Sequence, residues 1–491
     1  MPKPMPHGRT ILEGFWADAA AAMELVQAVE QVFAGGEGTY GRWYTGAECN
    51  TCYNALDRHV ANGRGDQLAL ICESPITGRT RKITYHELLE EVEALAAVML
   101  DNGVQKGDRI LIYMPTVPEA LVAMLASARI GAIHSVVFGG FAANELATRI
   151  DDAKPVMIIA ASCGIEPSRV VPYQAMLDKA ISLAHHKVDH CIIFQRGLAP
   201  AFAGGRTRHR LSRSGRCRSW TPCALRAGGR DRPARVLYTS GTTGEPKGVV
   251  RDNGGHMVAL VWSMKHVFDV KPGQVWWAAS DVGWVVGHSY IVYAPLLIGA
   301  TSILFEGKPV GTPDAGEYWR IIEEHGVEVM FTAPTALRAI KKEDADGHFV
   351  RRHDLSGFRA LLSCRRTRRP GHDPLGGKPA RLPGHRPLVA DRKRLADGRQ
   401  SARPRPSGNQ IRLACRLPRR AMTFACWMMR ATRSNPARWA IFSSRCLCRP
   451  VACQHCGTPM SVSARPISTS FRAITKPPMR AIWMRTAIST L

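Results

Sequence analysis

No stretch of about twenty uncharged apolar residues occurs in this chain, which argues against a helical membrane span. An apolar core is also missing behind the first residues, Met1-Pro2-Lys3-Pro4-Met5-Pro6-His7-Gly8. No secretory leader is therefore expected, and the cytoplasm is the expected compartment. Without an oxidising compartment, the 14 cysteines are not expected to build a disulfide framework. Acidic residues and tyrosine are what the last quarter lacks. Residues 365–491 hold 27 Lys and Arg against 3 Asp, with no Glu and no Tyr. Residues 201–235 hold 10 Arg and one Asp. The rest of the chain is mildly acidic, so the formal charge of +26 comes from two inserted blocks. A chain basic throughout would point to nucleic acid or an anionic membrane. Here that reading narrows to a nucleic-acid-binding arm at 365–491, whose mark would be salt-dependent DNA binding.

The tail also lacks periodicity. Arg and Pro recur throughout it, and its like charges repel, so a disordered basic tail is one expectation. Cys446, Cys448, Cys453, Cys456 and His455 within it could be read as a zinc knuckle. A change of reading frame accounts for more. Codons permitted for Gly384–Arg392, shifted by one nucleotide, read Val-Ile-Asp-His-Trp-Trp-Gln-Thr followed by Asp or Glu. Arg472–Leu491 shifts to a text rich in Tyr, Asp and Gly, and Leu25–Gln31 to Trp-Tyr-Lys-Pro-Trp-Asn-Lys. Residues 25–31, about 201–235 and 365–491 are accordingly expected to be out of frame, with an incomplete N-terminal domain over 1–364.

Between those patches the chain reads as α/β protein. Tyr85–Asn102 has helical apolar spacing, with Thr84 as N-cap and Gly103 as the stop. A second helix is expected to end at Gly131 and a third to cover Tyr318–His325. Strands are expected at Arg109–Met114, Ile133–Phe138, Pro155–Ala160, Val236–Thr239, Val275–Ala279, Thr301–Phe305 and Val327–Phe331. Such alternation argues for mainly parallel sheets flanked by helices.

The densest motif is Tyr238-Thr239-Ser240-Gly241-Thr242-Thr243-Gly244-Glu245-Pro246-Lys247-Gly248. Glycines let the backbone approach an anion, N–H and hydroxyl groups donate to phosphate oxygens, and Lys247 adds a charge. It is not a Walker A loop, because no Gly-Lys-Ser/Thr follows four spacer residues. The stretch resembles the phosphate loop of the acyl-adenylate-forming superfamily. Residues 44–60, 279–309 and 331–344 resemble short-chain acyl-CoA synthetases, the acetyl- and propionyl-CoA synthetases, and the text after Glu306 is closer to the propionyl type.

That resemblance implies an α/β adenylation domain and an AMP-forming ligase acting on propionate or acetate, with ATP, Mg2+ and coenzyme A. Thr239, Ser240, Gly241, Thr242, Thr243, Gly244 and Lys247 would hold the ATP phosphates. Trp284, Val285 and Val286 would line the acyl pocket with Cys364 opposite, and Phe138, Gly139, Gly140 and Arg169 would meet coenzyme A. His288 is read as structural, because the carboxylate needs no base, and Cys49 and Cys52 as packing. The family's Trp-Trp-Gln-Thr-Glu phrase survives only in the shifted frame under 388–392, and its catalytic lysine has no in-frame counterpart. A third reading is a non-catalytic remnant that still binds nucleotide or acyl groups.

Overall fold

The computed structural model describes residues 6–34, 42–200, 208–211, 228–229, 233–239 and 247–363. The tail 365–491, Cys364, most of the 201–235 block and Ser240–Pro246 lie outside the described residues.

Thirteen strands make the two large sheets. In chain order they are β1 (Leu68–Ser74), β2 (Arg79–Thr84), β3 (Arg109–Tyr113), β4 (Ile133–Val137), β5 (Met157–Ala161), β6 (His190–Phe194) and β7 (Arg208–Leu211). They continue with β8 (Pro233–Thr239), β9 (Lys247–Asp252), β10 (Val275–Ala279), β11 (Thr301–Phe305), β12 (Val329–Thr332) and β13 (Ala360–Ser363). One sheet has the order β7-β6-β5-β3-β4-β8-β9 and the other β13-β12-β10-β11-β1-β2. Only the edge pairs β8–β9 and β1–β2 are antiparallel. The mainly parallel architecture expected from the sequence is the one observed.

The apolar runs explain the strands. Ile110, Leu111, Ile112 and Tyr113 are all fully buried, as expected of a parallel strand covered on both faces. Trp276 and Trp277 on β10 show the strand period directly. The first ring packs on Phe268, Tyr290 and Phe331, and the second on Phe305 and Tyr318 across the sheet.

The helices follow their sequence signals too. Helix Tyr85–Asp101 opens with a capping box in which Thr84 accepts from the Glu87 N–H and the Glu87 carboxylate accepts from the Thr84 N–H. It buries Leu88, Val92, Leu95, Ala96 and Met99, one stripe of the helix surface. Beyond its end Gly103 adopts φ +82°, a conformation glycine takes without strain. Helix Pro118–Arg129 ends just before Gly131, and helix Glu317–Glu324 overlaps the expected segment, shifted by one residue. No helix among the described residues is long and apolar enough to cross a membrane.

Part of the segment 25–31 joins the fold. Gln27 bridges to Glu48, and Gln31 begins a short strand paired with Thr45. Pro233–Arg235, the end of the basic block, form the start of β8.

Polar groups at strand ends tie the two sheets. Arg196, just after β6, donates from both Nη atoms to the Glu306 carboxylate after β11, at 2.7 and 2.9 Å. Both side chains are only about a tenth exposed. Removing one partner of such a pair strands a charge. Glu306→Ala should therefore cost about 3–5 kcal/mol, seen as a lowered urea midpoint with an unchanged slope.

Candidate active site at the carboxyl ends of the strands

In an open parallel sheet, ligands bind outside the carboxyl ends of the strands, where the strand order reverses. Here the chain leaves β3 for β4 on one side, then crosses to β5 on the other. The loop after β4 is Phe138-Gly139-Gly140, three of the four residues expected to meet coenzyme A. β8 runs parallel to β4, so Thr239 ends at the same edge. Lys247 begins β9 and pairs in register with Thr239, which makes the two ends of the phosphate motif neighbours. Ser240, Gly241, Thr242, Thr243 and Gly244 lie outside the described residues. The Tyr238 hydroxyl donates to Asp152 at 2.6 Å, fixing the strand that feeds the loop.

The segment expected to line the acyl pocket follows β10 of the other sheet and meets the β4 loop. Trp284 and Phe138 lie with ring centroids 5.5 Å apart, and Trp284 is 45% exposed. Val285 and Val286 start the short helix Val285–Gly287 and are half-buried, Val286 packing against the main core. Cys364 lies outside the described residues. Arg169 lies in a small hairpin, 69% exposed, with Nε donating to Glu166 at 2.9 Å.

The glycines of the β4 loop have a steric reason. A Cβ on Gly139 would fall 1.9 Å from the Tyr173 hydroxyl, and one on Gly164 2.7 Å from the Tyr173 ring. Tyr173 in turn stacks on Tyr113 at 4.8 Å. The sequence reading missed this tyrosine. Its signal was slight, a lone aromatic opening a helix.

Also missed was a buried basic cluster beneath the site. Arg235 on β8 places Nη2 2.7 Å from His256 Nε2, and its guanidinium lies 4.8 Å from the centroid of the Tyr293 ring. His134 Nε2 is 2.6 Å from the Tyr293 hydroxyl, and its ring stacks on His288 at 5.9 Å. Burial and then neighbouring positive charge hold His134 and His256 well below the ordinary imidazole range. Burial and Arg235 bring His288 down to about 3. Burial likewise lowers Arg235 to about 10 and pushes Asp252 up to about 6. His288 Nδ1 lies 3.2 Å from the Trp284 carbonyl oxygen. Such a neutral imidazole in the framework fits the structural role expected for it.

Cys49 and Cys52 are fully buried, and burial raises the Cys52 thiol to about 12, which fits the packing role expected of them. Among the described residues, Glu73, Glu324 and His325 form the one group able to meet on a metal ion. Arg320 already pairs with Glu73 and Glu324, and His325 Nε2 lies 2.6 Å from a Glu73 oxygen. In this structure the three side chains are thus engaged with Arg320 and with one another.

With that geometry in place, comparison with known proteins is informative. A family model described as AMP-binding enzyme matches residues 57–382, and one described as acetyl-coenzyme A synthetase N-terminus matches residues 10–55. A propionate–CoA ligase of Salmonella typhimurium is 45% identical over 351 residues, covering 71% of this chain and 55% of its own length. The mitochondrial acyl-CoA synthetase short-chain family member 3 of Homo sapiens is 46% identical over 352 residues, covering 71% and 51%. An uncharacterized protein of Pseudomonas aeruginosa is 50% identical over 366 residues, covering 72% and 57%. Among solved structures, acetoacetyl-CoA synthetase from Streptomyces lividans superposes with a TM-score of 0.65 at 26% identity, covering 72% of this chain and 53% of that one. The chain thus spans about half the length of the curated relatives it matches.

The histidine cluster makes stability depend on pH. Each imidazole titrates near 6.5 when unfolded and well below that when folded, so between those values the unfolded chain binds more protons. Stability should fall as pH drops below about 6.5, toward about 3 for His288. Within the cluster Asp252 opposes this, as does Asp281 outside it, since burial raises both carboxyls. Urea midpoints at pH 7.5 and 5.0 should differ, and His288→Gln should reduce the difference.

Proposed function

The chain belongs to the family of AMP-binding enzymes, and we propose that it is the adenylating part of a short-chain acyl-CoA ligase acting on propionate or acetate. The contact between Phe138 and Trp284 carries this reading. It brings the segment assigned to the acyl group against the loop assigned to coenzyme A, on the edge where Thr239 leads into the phosphate motif.

The reaction has two balanced steps. The carboxylate oxygen attacks the α-phosphorus of ATP, and the bond to pyrophosphate breaks, giving acyl-adenylate. The coenzyme A sulfur, losing its proton, then attacks the acyl carbon, and AMP leaves with the bonding electrons. ATP enters as its magnesium complex. Thr239, Ser240, Gly241, Thr242, Thr243, Gly244 and Lys247 hold its phosphates. Trp284, Val285, Val286 and Cys364 enclose the acyl chain, and Phe138, Gly139, Gly140 and Arg169 face coenzyme A. Such a pocket selects by volume, and one methylene is worth about 1–3 kcal/mol, so both acids are used.

The frame reading belongs to the same proposal. Residues 1–364 are an incomplete adenylation domain, interrupted by out-of-frame text at 25–31 and about 201–235, and 365–491 are out of frame. The charge division and the sensible text in the shifted frame support it. One lost preorganised donor costs about 10²–10³ in rate, and several are lost together here. The chain as written should show no pyrophosphate exchange with propionate above background; robust exchange would refute the frame reading. Resequencing the gene across codons 20–35, 200–236 and from 364 onward tests it independently. A frame-corrected protein should form propionyl-CoA from propionate, ATP and coenzyme A. If it uses neither propionate nor acetate, the ligase reading fails.

A further inference from the structure

Asp281 follows β10 and reaches across to the other sheet. Its Oδ2 accepts from the Thr116 hydroxyl at 3.1 Å, and Thr116 lies just past the end of β3. Its Oδ1 accepts from the Gly283 N–H at 2.7 Å, and its main-chain carbonyl accepts from the Trp284 N–H at 3.1 Å. One residue therefore folds the turn carrying Trp284 and fastens that turn to the sheet carrying Phe138. The fit leaves no slack. A Cβ on Gly283 would lie 2.9 Å from Phe138 Cα, and one on Gly287 would lie 1.9 Å from the Asp281 carbonyl oxygen. Thr116 is buried, Asp281 is half-buried, and loss of hydration raises the carboxyl above its ordinary range. A carboxylate costs more to place there than an apolar contact would, and what it supplies in return is direction. The structure gives Trp284 few other constraints, since its ring is nearly half exposed.

We propose that Asp281 is a positioning residue, joined by Thr116, which sets the Trp284 ring against Phe138 across the two sheets and so fixes the width of the acyl site. The width claim rests on the acyl-site reading above, whereas the positioning claim rests on the hydrogen bonds alone.

The test uses the full chain labelled with 5-fluorotryptophan, with the Trp284 fluorine resonance assigned by Trp284→Phe. Asp281→Ala should shift or broaden that resonance and leave the buried Trp276 and Trp277 resonances in place. Asp281→Asn, which keeps an acceptor, should restore the parent position, and Thr116→Val should move it part of the way. A Trp284 resonance unmoved in Asp281→Ala overturns the proposal. If Asp281→Ala does not fold, an unmoved resonance in Thr116→Val overturns it instead. The propyl ester of AMP, added to the frame-corrected protein as parent and to its Asp281→Ala variant, serves as the probe for the site. It should shift the Trp284 resonance of the parent and bind at least several-fold more weakly to Asp281→Ala. No shift in the parent overturns the acyl-site reading and with it the width claim, while the variant spectra still decide the positioning.

Discussion

Arg196 and Glu306 lock together at the seam where two separately built sheets meet. Parallel strands bury both faces, so each sheet can be read from its own apolar runs. Neither run says how the sheets should be placed against one another. Hydrophobic packing is non-directional and accepts many placements. A bidentate guanidinium–carboxylate pair accepts one. With the pair made, the carboxyl ends of β4 and β8 in one sheet and β10 in the other are held so that their loops converge. The site is a consequence of that convergence.

Most of this fold was legible because strand and helix periods are local. The strand of β10 was read residue for residue, and Thr84 with Gly103 framed the helix between them as expected. Edge elements were harder. β2 sets Arg, Thr and Lys around a single apolar residue, Ile83, and so lacks an apolar run. The chain's large charge was also a poor guide to its core, because the two basic blocks lie mostly outside the described fold.

The site was legible where the chemistry lies in the main chain or in a dense phrase. Phe138, Gly139 and Gly140 and the segment from Trp284 to Val286 fall together, although 146 positions separate Phe138 from Trp284. What was not legible is the set of residues that hold these phrases in place. Tyr173 matters because two glycines leave room for its ring. Arg235 matters because three neutral imidazoles and a tyrosine ring surround it. Such roles arise from juxtaposition across distant parts of the chain, and no spacing in the sequence announces them. Arg169 adds a detail of the same kind, since its ion pair with its own hairpin neighbour Glu166 is not announced by the sequence.

The register of Thr239 with Lys247 has one more consequence. Bringing together the ends of a chain segment costs entropy that grows with the logarithm of its length. The β8–β9 ladder makes that closure part of folding. Under the phosphate-loop reading proposed above, a bound anion would not have to bring the ends together, and more of each contact would be left over as affinity.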